Sequence, residues 1–145
     1  MEKKIVYFET PGKENTAEVL SLIKDRALSG SIKKIVLAST RGDTARAACD
    51  YFDDTGIQLI VVPHQFGRRT GQRFPTDLVK ELEAKGHRVY FGTMLFHTEE
   101  LYGFQTPKIM ATLLRVFCQG IKVCVEIVMM ACDGGLVAEG EEVIV

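Results

Sequence analysis

The stretch Lys34-Ile35-Val36-Leu37-Ala38-Ser39-Thr40-Arg41-Gly42-Asp43-Thr44-Ala45-Arg46 decides how the rest of the chain is read. Ile35–Ala38 is apolar without polar alternation, the pattern of a parallel strand buried on both faces. Gly42 permits a tight or left-handed turn, and a helix over Thr44–Phe52 follows. A helix start of this kind presents free backbone N–H groups with a partial positive charge. Set beside the hydroxyls of Ser39, Thr40 and Thr44, they suit a phosphate or carboxylate. The same residues also suit a plain helix start, with Asp43 or Thr44 satisfying the first turn.

Toward the N-terminus, Lys4–Phe8 reads as a short strand and Thr10–Thr16 as a break. Val19, Leu20, Leu22, Ile23 and Ala27 then mark the apolar side of a helix that Leu28–Ser31 stops. Toward the C-terminus, Ala45, Ala47, Ala48 and Cys49 give the helix over 44–52 a small-residue packing surface. Ile57–Val62 is the next strand, Pro75 starts a helix with Leu78, Val79 and Leu82 inward, and Arg88–Phe91 is a fourth strand. Thr106-Pro107 opens a helix with Pro at its first position, whose buried side is expected to be Ile109, Leu113, Leu114, Val116 and Phe117. Ile121–Cys132 is expected as a buried helix ended by Asp133–Leu136. Lys122 and Glu126 share one of its faces, four residues apart. Glu126 lies in an otherwise apolar run and needs a partner or a ligand, so a structural pair and a binding role both stand. Glu141–Val145 is expected to enter the sheet as a last strand, and stopping there implies a C-terminal continuation.

Strands alternating with helices at this spacing call for one α/β domain over 1–145. Its expected form is a three-layer α/β/α arrangement with a mainly parallel sheet and right-handed crossovers. Ligands of such sheets bind beyond the carboxyl ends of the strands. There the loops Ser39–Thr44, His64–Phe74 and Gly92–Gly103 should gather, beside Pro11–Thr16. The His64–Phe74 loop carries Arg68, Arg69 and Arg73 with Phe66 and Phe74. It suits closure over an anionic, aromatic ligand, or equally a solvated loop that its phenylalanines tack down.

Composition removes several function classes. With 145 residues, 46% of them hydrophobic, the chain suits a single well-buried core. A net charge of −1 and a pI near 6.3 offer no bulk attraction for nucleic acid or an anionic membrane. No apolar run approaches the ~20 residues of a membrane span, and no signal peptide is apparent; a cytoplasmic protein is expected. Cys49, Cys118, Cys124 and Cys132 lack CxxC spacing and are expected to be buried reduced thiols. No Cys/His pair has zinc-ligand spacing, so no metal is expected. There is no G-x-S-x-G elbow, and His64 and His97 are expected as polar surface residues. Paired carboxylates for Mg²⁺ are likewise missing.

Gly42-Asp43-Thr44-Ala45 after a strand, Tyr7-Phe8 with Pro11-Gly12 and Asn15-Thr16, and Lys122–Ile127 with Met129-Met130-Ala131 and Asp133 together resemble one family. Its members are small stand-alone archaeal and bacterial proteins similar to the C-terminal α/β domain of pyruvate kinase. The resemblance covers essentially the whole chain, except that 67–74 and 95–104 match no fixed motif. That family continues with a Gly-rich turn and a further strand, so part of the site is expected past Val145. The resemblance implies no pyruvate kinase activity, because that chemistry lies in a barrel domain. It implies a bound flavin mononucleotide (FMN) and hence a possible flavin-dependent oxidoreductase. The phosphate would sit on Ser39, Thr40, Gly42, Asp43 through its backbone N–H, and Thr44. Asn15, Thr16, His64, Phe66, Gly67 and Thr93 would neighbour the ligand. A non-catalytic module that senses a phosphorylated metabolite through homo-oligomer contacts is the alternative.

Overall fold

In the computed structural model, which describes residues 4–67, 71–99 and 103–145, β1 (Lys34–Ala38) and β2 (Gln58–Val62) pair in parallel. The register runs from Lys34 opposite Gln58 to Ala38 opposite Val62. β3 (Arg88–Val89) pairs in parallel with β2 at Ile60 and Val61, giving the order β1-β2-β3. The helices are α1 (Thr16–Gly30), α2 (Asp43–Tyr51), α3 (Thr76–Ala84), α4 (Thr106–Arg115) and α5 (Gln119–Asp133). None of them is long and apolar enough to cross a membrane.

Side chains alternate across a strand, and here the alternation builds two cores. Ile35, Leu59 and Val61 pack with Leu20 and Ala27 of α1, Ala45, Ala48 and Cys49 of α2, and Leu78 and Leu82 of α3. Val36, Ile60 and Val62 pack with Ile127, Met130 and Ala131 of α5. The sheet therefore has helices on both faces, and Ile35–Leu37 and Leu59–Val62 are uninterrupted apolar runs because both of their faces are covered. Each fully buried aliphatic side chain contributes about 1.5–3 kcal/mol.

Several expectations change. Lys4–Phe8 is not a strand, and Ile5 and Tyr7 are 72% and 86% exposed. β propensity is realised only against a partner, and the start of β1's outer edge is taken by the other end of the chain. The Val36 N–H donates to the Ile144 carbonyl at 2.8 Å and the Ile144 N–H to the Lys34 carbonyl at 3.2 Å. That contact is a single parallel bridge rather than a strand over Glu141–Val145. Lys34 Nζ reinforces it, donating to the Leu136 carbonyl and the Glu141 carboxylate, both at 2.9 Å.

The α4 expectation is largely reversed: Ile109 and Leu113, with Val116 and Phe117 just past the helix end, face outward, Leu114 is half-buried, and Ala111 is the buried residue of that helix. The fourth strand is shorter than Arg88–Phe91, although the Tyr90 N–H still reaches the Val61 carbonyl at 2.9 Å. All four cysteines are free, but only Cys49 is buried; Cys118 and Cys132 are exposed. Burial raises the pKa of the Cys49 thiol.

Candidate functional site

The turn between β1 and α2 is held from inside. Ser39 is buried, its N–H donating to the Val62 carbonyl at 3.4 Å and its Oγ accepting the Ala45 N–H at 3.3 Å. Ser39 thus satisfies one N–H of the first turn of α2, that of Ala45, part of the role the plain helix-start reading gave to Asp43 or Thr44. Gly42 has φ 96°, and a Cβ there would stand 2.5 Å from Leu78 Cδ2 and 3.3 Å from Pro75 Cδ. Glycine is required both by the left-handed backbone and by the approach of α3. The Arg46 N–H bonds the Gly42 carbonyl at 2.9 Å. The first helical N–H groups, those of Asp43 and Thr44, have no intrahelical acceptor. Among the described residues nothing caps them.

Two cavities flank this turn, sharing a wall of Ala38, Val123 and Ile127. The first, about 340 Å³, runs along the outer edge of β1 (Ile35–Ala38) between α1, α2 and α5, with Gly12, Asn15, Thr16, Thr44 and Val145 on its rim. It is largely apolar. The second, about 260 Å³, lies at the carboxyl ends of β1 and β2. Thr40, His64, His97, Arg115, Gln119, Lys122 and Glu126 line it.

The centre of the second cavity is an ion pair. Lys122 Nζ donates to Glu126 Oε2, and the two side chains are 2% and 3% exposed. Glu126 Oε1 accepts the Phe96 N–H at 2.9 Å, so both carboxylate oxygens are engaged. Lys122 Nζ also lies 3.4 Å from His97 Nε2 and 5.4 Å from the Phe96 ring centroid. For His97 Nε2 to accept, the ring proton must sit on Nδ1. Arg115 Nε donates to Gln119 Oε1 at 2.8 Å, across the junction of α4 and α5.

The expected site residues therefore divide. Asn15, Thr16 and Thr44 meet at the first cavity, and Thr40, His64, Lys122 and Glu126 at the second. Ser39 and Gly42 build the turn, and Asp43 is exposed at its helix start. Phe66, Gly67 and Thr93 are exposed and line neither cavity. Phe66 packs on Phe91 with ring centroids 4.9 Å apart, and Phe91 meets Phe74 at 6.1 Å, so these phenylalanines tack the loop to the sheet. Arg68, Arg69 and Thr70 of that loop lie outside the described residues.

No family model matches the chain. Sequence reasoning missed His97 as a lining residue, and it missed Arg115 and Gln119 altogether. The spacing 119, 122, 126 places three polar groups on one face of α5, which was the available signal. Gln65 and Gln72 were missed as braces. Gln65 Oε1 accepts the Met94 N–H at 2.6 Å, and Gln72 Nε2 donates to the His64 carbonyl at 2.8 Å.

At the opposite edge of the sheet, His87 is buried and its Nδ1 accepts the Leu59 N–H at 3.2 Å. Burial, aided by the Lys85 charge, lowers its pKa. Among the described residues no group of three or more His, Cys, Asp or Glu side chains is placed to hold a metal ion.

Proposed function

We propose that this protein is cytoplasmic and binds a phosphate-bearing small molecule, FMN before others, at the carboxyl edge of a pyruvate kinase C-terminal-domain-like fold. The observation that carries this reading is that Thr44 lines the 340 Å³ apolar cavity, its N–H and that of neighbouring Asp43 being uncapped among the described residues. Helix N–H groups and the Thr44 hydroxyl suit a phosphate. An apolar slot of this size, within the ~300–1,000 Å³ of ordinary ligand pockets, suits a flat ring system. The donor set and the slot fit FMN in kind. Asp43 and Thr44 would hold the phosphate, and Asn15, Thr16 and Val123 would border the remainder. When bound, a flavin supplies reversible electron transfer; the chain's own part is to exclude water from the ring and fix the phosphate.

The test is an absorbance spectrum of the purified protein, followed by titration with FMN and riboflavin. FMN should bind more tightly, and Thr44→Val should weaken FMN by ~1–2 kcal/mol, the scale of a hydrogen bond to a charged group. Riboflavin affinity should not change. Equal binding of the two ligands moves the phosphate off this turn, and binding of neither ends the flavin reading.

The outward apolar face of α4 favours a second reading, a phosphometabolite-sensing module that works through homo-oligomer contacts. It requires that a sugar phosphate change the assembly state seen by light scattering.

A further inference from the structure

We propose that the second cavity is a separate binding site for a small monocarboxylate, anchored by Lys122 and Arg115. This inference does not depend on the flavin reading. An ammonium group carries three hydrogens. Glu126 Oε2 takes one from Lys122, and His97 Nε2 stands within reach of another. Among the described residues the third has no N or O acceptor, only the face of the Phe96 ring 5.4 Å away, although Lys122 is almost completely buried and lines the cavity. A buried charged donor left unmatched is costly, and an oxygen inside the cavity removes that cost.

The charge balance selects the kind of oxygen. Lys122 and Arg115 are positive and Glu126 is negative, leaving one net positive charge on a wall otherwise made of neutral groups and the histidines His64 and His97. A single negative charge matches it, whereas a phosphate dianion does not. Arg115 has its Nε tied to Gln119, which orients the guanidinium while leaving its terminal nitrogens for a carboxylate. Among the described residues Glu126 is not paired with Arg115; its oxygens accept from the Phe96 N–H and from Lys122. At about 260 Å³ the cavity is just below the usual range for ligand pockets, which limits the guest to a small metabolite. Thr40, which also lines the cavity, offers a hydroxyl to a second oxygen of the guest.

The probe is lactate, with lactamide as its neutral counterpart, titrated into the whole chain and followed by amide NMR shifts. Lactate should shift the Phe96 and Gln119 amides saturably and leave those of Asp43 and Thr44 in place; lactamide should do neither. Arg115→Gln, at an exposed position, should weaken lactate about tenfold without unfolding the protein. Lys122→Met combined with Glu126→Gln removes both buried charges together and should abolish saturation. Equal responses to lactate and lactamide overturn the proposal, as does unchanged affinity in Arg115→Gln. Inorganic phosphate serves as the control for the other site. If it fails to shift Asp43 and Thr44 while lactate still binds, the phosphate reading of the turn falls and this one stands. The reverse pattern sinks this inference alone.

Discussion

Breaking the Lys122–Glu126 pair from one side should be far more damaging than removing it whole. In Lys122→Met the Glu126 carboxylate stays buried, 3% exposed, with only the Phe96 N–H left to stabilise it. Removing one partner of a buried ion pair costs about 3–5 kcal/mol, because the remaining charge has no compensation. Domains of this kind have about 5–15 kcal/mol in total, so the loss takes a large share. At roughly 2–4 °C per kcal/mol, Tm should fall by about 6–20 °C. Adding Glu126→Gln to that variant removes the stranded charge, while the amide oxygen still accepts the Phe96 N–H. The double variant should therefore recover to within about 1–2 kcal/mol of the parent, since an uncharged replacement of a buried pair is often neutral. Urea unfolding at pH 7, extrapolated linearly to water, gives the four corners of the cycle. A coupling energy of at least about 1–4 kcal/mol is expected, the loss in Lys122→Met less that in the double variant, and it grows by whatever Glu126→Gln alone costs. Additivity to within about 0.5 kcal/mol would refute the reasoning, and would mean that water reaches the pair.

Three further outcomes test other parts of the fold. His87 has a lowered pKa, so the unfolded chain binds more protons than the native one once pH drops through the ordinary histidine value of about 6.5. Its contribution is present above that pH and lost below it, at no more than ~1.4 kcal/mol per pH unit; His87→Gln should flatten this part of the urea-midpoint profile between pH 7.5 and 5.5. Gly42→Ala must accept φ 96° and a contact of 2.5 Å with Leu78 Cδ2. A loss of about 2–4 kcal/mol follows from left-handed strain and overpacking, with phosphate binding weakened as the turn shifts; a Tm unchanged within error would place the turn differently. Leu113→Glu on the outward face of α4 should move stability by less than about 0.5 kcal/mol, whereas Leu82→Ala in the core should cost about 2–5 kcal/mol. Comparable losses at both positions would return α4 to the interior.

What the sequence reveals about this protein depends on whether a feature is local. β1 and β2 are legible because burial on both faces leaves an uninterrupted apolar run, and the left-handed turn between β1 and α2 is legible because Gly42 stands in it. The Lys122–Glu126 pair is likewise a matter of helical spacing. Lys4–Phe8 has the same apolar content as a strand, but pairing depends on which segment reaches the free edge of β1, and Ile144 arrives from 109 positions further along the chain than Ile35. On α4, periodicity identifies a stripe at Ile109, Leu113, Val116 and Phe117, yet a stripe has no sign: nothing in its spacing says whether it faces a sheet or the outside.

The site is split in the same way. Thr44 and the N–H groups beside it could be named from a turn motif, because a helix start is a local object. The grouping of Arg115, His97 and Lys122 could not, because each belongs to a different segment and only the packing of α4 and α5 against the sheet end brings them together. Glu126 shows where the two kinds of information meet. Its apolar surroundings already demand a partner, and helical spacing already names Lys122 as that partner. The second oxygen, however, is claimed by a backbone N–H from Phe96, 30 positions away. That bond engages the oxygen Lys122 leaves, and only the fold brings it there.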